Sequence, residues 1–320
     1  VHSNGRIAMR VRRKIVWVTL FAGAAFAETT LDTGIAAYNA GDYAAAKEAF
    51  GQLAQDDIVT MFWMGRVGIE LKDWDSAESL LEKVVAAKPD EHEYVLWLGR
   101  AYGSHAREAN MIIKGFLAPK IHKTFAKAVE LKPDDLESRE NLIDFFLEAP
   151  GFLGGSVEKA LEQAQEIQKL DGPAGAINIA RVYESQKKPA DAFAVLKEAS
   201  SKYPEHFGLA LRAGMEAQNL GQWEEAFVIF NAMLGHNADA WGAKYQIGRA
   251  AALSATHLEE GEKALLDYLK HEPAEGEPGH EGANFRLGMI YERMNDPARA
   301  REQYEHALTI KPDYKEVQDA

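Results

Sequence analysis

Four arginines directly follow a small residue that is itself preceded by an aliphatic one. They are Arg66 after Met64-Gly65, Arg100 after Leu98-Gly99, Arg181 after Ile179-Ala180 and Arg249 after Ile247-Gly248. A guanidinium is a planar fork that holds a carboxylate through two parallel hydrogen bonds, so four of them in equivalent places could grip an acidic ligand. The competing reading is that each one pairs with a glutamate or aspartate of a neighbouring helix. A second cluster, HEPAEGEPGHE from His271 to Glu281, supplies two histidines and four glutamates, donors that suit zinc or another divalent ion. Its prolines and glycines equally describe a polar linker, and no regular frame fixes the ligands. A third stretch, APGFLGGS from Ala149 to Ser156, has glycines enough for a phosphate cradle but no lysine before Lys159. There is no H-E-x-x-H, no G-x-S-x-G and no cysteine, so hydrolase and thiol chemistry lack their residues. No cofactor is expected, and an enzyme hidden in the loops is the weakest reading.

The elements that must position these residues declare themselves by repetition. The steps from Gly65 to Gly99, from Ala180 to Gly214 and from Gly214 to Gly248 are each 34 residues. Turn signals follow at GDY (41–43), KDW (72–74), KKP (187–189), GQW (221–223) and NDP (295–297). Three residues into each second helix stands an alanine (Ala46, Ala77, Ala192, Ala226, Ala300), and four further on a large side chain (Phe50, Leu81, Leu196, Phe230, Tyr304). Pro89, Pro133, Pro204, Pro273 and Pro312 stop the second helices.

This pattern resembles the tetratricopeptide repeat, a pair of antiparallel helices in 34 residues. It implies an all-α superhelix of about eight units beginning near residues 28, 58, 92, 136, 173, 207, 241 and 281. Small residues let two helices approach, large ones fill the space opposite, and neither helix buries its face alone. In the family, first helices line a concave groove, and the resemblance puts the four arginines there. The same place holds Met215, Met289, Asp144 and Ile35 in the other units. The tryptophans Trp63, Trp97, Trp223 and Trp241 read as core or half-buried packing, with sugar stacking as the alternative.

Two units break the period. Pro89 to Pro133 is 44 residues, which places an insertion near 104–124, and APGFLGGS enlarges the next unit near 149–156. The first insertion is locally basic, with Arg107, Lys114, Lys120, Lys123 and Lys127 against Glu108, interleaved with Met111, Ile112, Ile113, Phe116 and Leu117. The expectation is an extended helix, or a dock for a partner or membrane surface. The two enlarged turns should meet as one lobe, with Phe152 and Leu153 covered by those apolar residues.

Composition bounds the partners. The formal charge is −13, and 47% of residues are hydrophobic, which suits a folded chain. Residues 9–27, MRVRRKIVWVTLFAGAAFA, read as a signal peptide with cleavage after Ala27, the apolar run being too short to span a bilayer. Removing residues 1–27 takes away five basic and no acidic side chains, leaving −18. Such a chain repels nucleic acid. The expected protein is therefore a periplasmic or secreted scaffold without cofactor, binding a protein or extended peptide through the carboxylates of that partner. The candidate contact residues are Arg66, Arg100, Arg181, Arg249, Phe152, Leu153, Lys114 and Lys120. An envelope polysaccharide is the alternative ligand.

Overall fold

In the computed structural model, which describes residues 31–318, antiparallel helices follow one another at the expected spacing and no strand occurs among the described residues. The predicted signal peptide, residues 1–27, lies outside the described residues. The first helices are α1 (31–39), α3 (Ile58–Glu70), α5 (His92–Glu108), α7 (Leu136–Glu148), α9 (Gly172–Ser185), α11 (Phe207–Asn219), α13 (Trp241–Ser254) and α15 (His280–Arg293). Their partners are α2 (Tyr43–Gly51), α4 (Trp74–Ala87), α6 (Met111–Leu131), α8 (Val157–Leu170), α10 (Pro189–Lys202), α12 (Trp223–His236), α14 (Leu258–Tyr268) and α16 (Pro297–Ile310). A last short helix, α17 (Lys315–Gln318), buries Val317 beside Phe285 and Ala307. Two compact units divide the chain between Ala160 and Leu161.

Local chemistry marks several of the helix starts. Asp57, Asp135 and Asp171 accept hydrogen bonds from the backbone N–H of Thr60, Ser138 and Ala174 at 2.8–2.9 Å, satisfying donors that a helix start leaves free. Five of the turns between paired helices share one backbone device. The first residue of each turn signal is left-handed: Gly41 (φ 77°), Lys72 (59°), Lys187 (58°), Gly221 (70°) and Asn295 (58°). Two of these places have glycine, for which that conformation carries no steric cost, and two tolerate a lysine.

Packing within a pair follows the small-against-large rule. A Cβ on Gly65 would lie 2.6 Å from Leu81, one on Gly99 2.5 Å from Phe125, and one on Gly214 2.3 Å from Phe230. Leu81 and Phe230 are fully buried, a transfer worth about 1.5–3 kcal/mol each.

The third pair also accounts for the broken period. Its large partner, Phe125, comes ten residues later than in the other pairs because both helices are longer. α5 has 17 residues and α6 has 21, against 13 and 14 in α3 and α4. The extra residues near 104–124 thus form no separate loop. They lengthen a helical hairpin that turns at Ala109-Asn110, with the Asn110 side chain capping α6.

Candidate functional site

The chemistry-bearing residues of the first unit converge on α3, α5 and α7. Trp63 and Arg66 are three residues apart on α3, as are Trp97 and Arg100 on α5, so each pair shares a helix face. The Arg66 guanidinium carbon lies 4.0 Å from the centre of the Trp63 ring, 4.1 Å from Trp97 and 4.7 Å from Tyr38 on α1. Its side chain is only 13% exposed. Its ion-pair partner among the described residues, Glu93, is at the outer limit of such a pair at 4.0 Å. Arg66 Nε is buried with no hydrogen-bond partner among the described residues.

Arg100 lies 4.5 Å from the same Trp97 ring and contacts the Glu137 carboxylate of α7. Burial lowers its pKa from the ordinary guanidinium value, and the charge of Arg66 adds to the effect. Two cations therefore share one aromatic wall. The carboxylates that balance them, Glu93 and Glu137, are themselves more than half exposed. An arriving carboxylate could displace either one and gain the more buried cation.

Arg100 also borders a pocket of about 260 Å³ bounded by α5, α6, α7 and the 3-10 turn Gly151–Leu153. Ala118, Ile121, Phe125, Phe145 and Leu153 form its apolar wall. Lys114, Arg107 and Asn141 stand at its polar edge, and Arg107 is held by Glu148 at 3.6 Å and Asp144 at 4.0 Å.

The stretch APGFLGGS builds the pocket's far side. Pro150 follows the end of α7, Gly154 adopts φ 103°, and the Ser156 N–H returns to the Phe146 carbonyl at 2.9 Å. At Gly155 any Cβ would fall 1.7 Å from the Ala149 carbonyl oxygen, so only glycine fits. The glycines thus serve a tight return of the backbone, which holds Leu153 over the pocket. The expected lobe forms in part. Leu153 shares the pocket wall with Ala118 and Ile121 of α6, whereas Phe152 remains 80% exposed and Met111, Ile112 and Phe116 do not cover it. The reason is helical phase. Leu117, Ala118 and Ile121 face inward on α6, which turns Ile112 and Phe116 outward.

The remaining candidates lie elsewhere. Lys120 pairs with Glu82 at 2.9 Å and sits 4.7 Å from the Tyr102 ring, outside the pocket wall. In the second unit, Arg181 donates to Asn178 at 2.8 Å, and Arg249 donates to the buried Gln218. Their immediate partners there include amides, unlike the carboxylates at Arg66 and Arg100. In HEPAEGEPGHE, His271 stacks on Trp241 at 4.6 Å and hydrogen-bonds Glu277 at 2.7 Å, while His280 bonds the His271 carbonyl. Among the described residues no group of three or more His, Asp or Glu is placed to hold a metal ion. No described helix is long and apolar enough to cross a membrane.

The sequence presents Trp63 and Trp97 as packing residues; in the fold they form the aromatic half of the site. The signal that points to this is the repeated W-x-x-R at 63–66 and 97–100, since three residues on a helix bring two side chains together.

No curated protein matches the chain. Among solved structures it is similar to TTC0263, a thermophilic TPR protein of Thermus thermophilus, at 19% identity and a TM-score of 0.46, covering 60% of this chain and 99% of the other. It is also similar to YrrB, a TPR protein with an unusual peptide-binding site, at 20% identity and TM-score 0.45, covering 61% and 96%. A third is pilF of Pseudomonas aeruginosa, at 15% identity and TM-score 0.45, covering 71% and 95%. Models of the tetratricopeptide repeat match residues 37–100 and 282–314, so the chain carries tetratricopeptide repeats in both of its units.

Proposed function

We propose that this protein is a non-enzymatic scaffold that binds an extended, acidic segment of a protein partner on the first-helix face of its N-terminal unit. Tetratricopeptide repeats commonly serve as surfaces for proteins and peptides, which supports the general class. The observation that carries the specific reading is the setting of Arg66 and Arg100 around Trp97, with a buried Nε that lacks a partner and two exposed, displaceable glutamates. A carboxylate of the segment takes the place of Glu137 at Arg100, and a neighbouring large apolar side chain enters the adjoining pocket. The polysaccharide alternative needs free indole faces for stacking. Those of Trp63 and Trp97 already pack against guanidinium groups, which favours the acidic segment.

Delivery out of the cytoplasm belongs to the same proposal, on the strength of the basic head and short apolar run at 9–27. Mass spectrometry of the protein from its native host tests it, and a cytosolic form that retains Met9 would refute export. For the binding role, affinity enrichment from native extract with wild type and Arg100→Glu is the test. Partners enriched by the wild type and lost with the variant are expected. Equal capture by both would remove Arg100 from the site.

A further inference from the structure

The lengthened α5–α6 hairpin carries a feature that peptide binding does not use. Four large apolar side chains stand in water at or beside its tip: Met111 (53% exposed), Ile112 (74%), Phe116 (73%) and Phe152 (80%). Monomeric proteins seldom leave such side chains exposed together without a role in contact. Met111 and Ile112 open α6, and Phe116 shares the outward stripe of Ile112, one turn on. Phe152 lies on the 3-10 turn that packs against α6. That turn is closed by Gly155, where a Cβ cannot fit, so Phe152 is displayed on a rigid support.

Charge identifies the surface that these side chains meet. Lys123 has no ion-pair partner among the described residues and continues the Ile112–Phe116 stripe, while Lys114, three and four residues before the buried Leu117 and Ala118, sits at the pocket edge. Glu108, the acidic residue at the hairpin end, is engaged by Lys72. The tip is therefore apolar and locally cationic within a chain of charge −13. Charges beyond roughly 8 Å are screened at physiological ionic strength, so the acidic remainder does not cancel it. Protein interfaces are depleted in lysine, whereas lysine beside Phe, Ile and Met marks side chains that enter the boundary between headgroups and acyl chains. From Met111 to Phe116 the helix rises about 7 Å, which matches an insertion depth of about 5–10 Å. Lys123 then stands about 10 Å further along the axis, at headgroup level.

We propose that the α5–α6 tip is a peripheral docking site for an anionic lipid surface, into which Ile112, Phe116 and Phe152 insert while Lys123 meets the headgroups. The site is separate from the acidic-segment reading and does not depend on it. The test is flotation of the purified full chain with phosphatidylglycerol vesicles and with phosphatidylcholine vesicles. The expected result is binding to the anionic vesicles that is lost at least about tenfold in Ile112→Ser/Phe116→Ser and weakened in Lys123→Glu. Arg100→Glu should float like the wild type. Because Ile112, Phe116 and Lys123 are exposed, thermal melts of the variants should match the wild type, and Phe152→Ser provides a second variant outside the helix. Absence of flotation at millimolar lipid, or equal flotation of wild type and variants, would overturn the proposal. Capture of a protein through the tip without lipid binding would overturn it too.

Discussion

Arg66 and Arg100 look alike in the sequence and differ in the fold. Arg66 is enclosed by four aromatic rings, those of Tyr38, Phe62, Trp63 and Trp97, and cation–π contacts contribute about 0.5–2 kcal/mol each when partly desolvated. Arg66→Ala should therefore cost stability, about 1–3 kcal/mol by chemical denaturation, as well as any binding. A surface position would lose almost nothing, and the aromatic enclosure is the physical reason for the difference. Arg100 is more exposed and rests against a single ring, so Arg100→Ala should leave the melting temperature nearly unchanged while weakening capture of an acidic segment. A comparably large stability loss in both variants would make the pair purely structural.

His257 supplies a residue-scale dependence on pH. Burial disfavours its charged ring, but hydrogen bonds and charge from Glu224 and Glu260, at 3.1 Å each, outweigh it and raise its pKa above the ordinary histidine value. A raised folded-state pKa means the stabilisation is complete below the unfolded value and is lost as pH rises through the folded one. Melting temperature should decline slightly from about pH 6 to about pH 8, and His257→Gln should flatten that decline. An unchanged slope in the variant would show that the ring is not the source.

At the scale of elements, two turns make opposite demands on glycine. Lys187 holds a left-handed φ of 58° where the equivalent places carry Gly41 and Gly221. Lys187→Gly should stabilise the second unit by up to about 1 kcal/mol, read as a shift in urea midpoint. Gly155→Ala should do the reverse, because the added Cβ meets the Ala149 carbonyl oxygen and forces Pro150–Leu153 off the pocket wall. Loss of several kcal/mol, or local loss of hydrogen-exchange protection around α7, is the expected outcome. The helical pairs themselves were legible because small and large residues recur at fixed distances. The two irregular turns were legible only as breaks in that period. Their shape depends on helical phase: the sequence of α6 offers five apolar residues near its start, and only packing of α6 against α5 and α7 decides which of them turn inward. The arginines were visible as a series for the same periodic reason. Their aromatic surroundings combine residues from α1, α3 and α5, a juxtaposition that the spacing within any one helix does not contain.

For the whole molecule, net charge and local charge act on a ligand at different ranges. A chain at −13 repels an acidic segment at long range, while Arg66 and Arg100 attract it at contact. Added salt screens the first effect before the second, since the Debye length falls from about 30 Å at 0.01 M to about 10 Å at 0.1 M. The association rate should consequently rise over this interval, with dissociation accelerating only at higher salt. A rate that falls steadily from the lowest salt would point to an attractive long-range field and a different face. The central claim, that α3 and α5 present a seat for an acidic segment, is tested most directly by a photocrosslinking residue at position 137, beside Arg100. The expected adducts map to acidic stretches carrying a large apolar residue and vanish when Arg100→Glu is added. Adducts on basic stretches, or adducts that persist unchanged with Arg100→Glu, would contradict it.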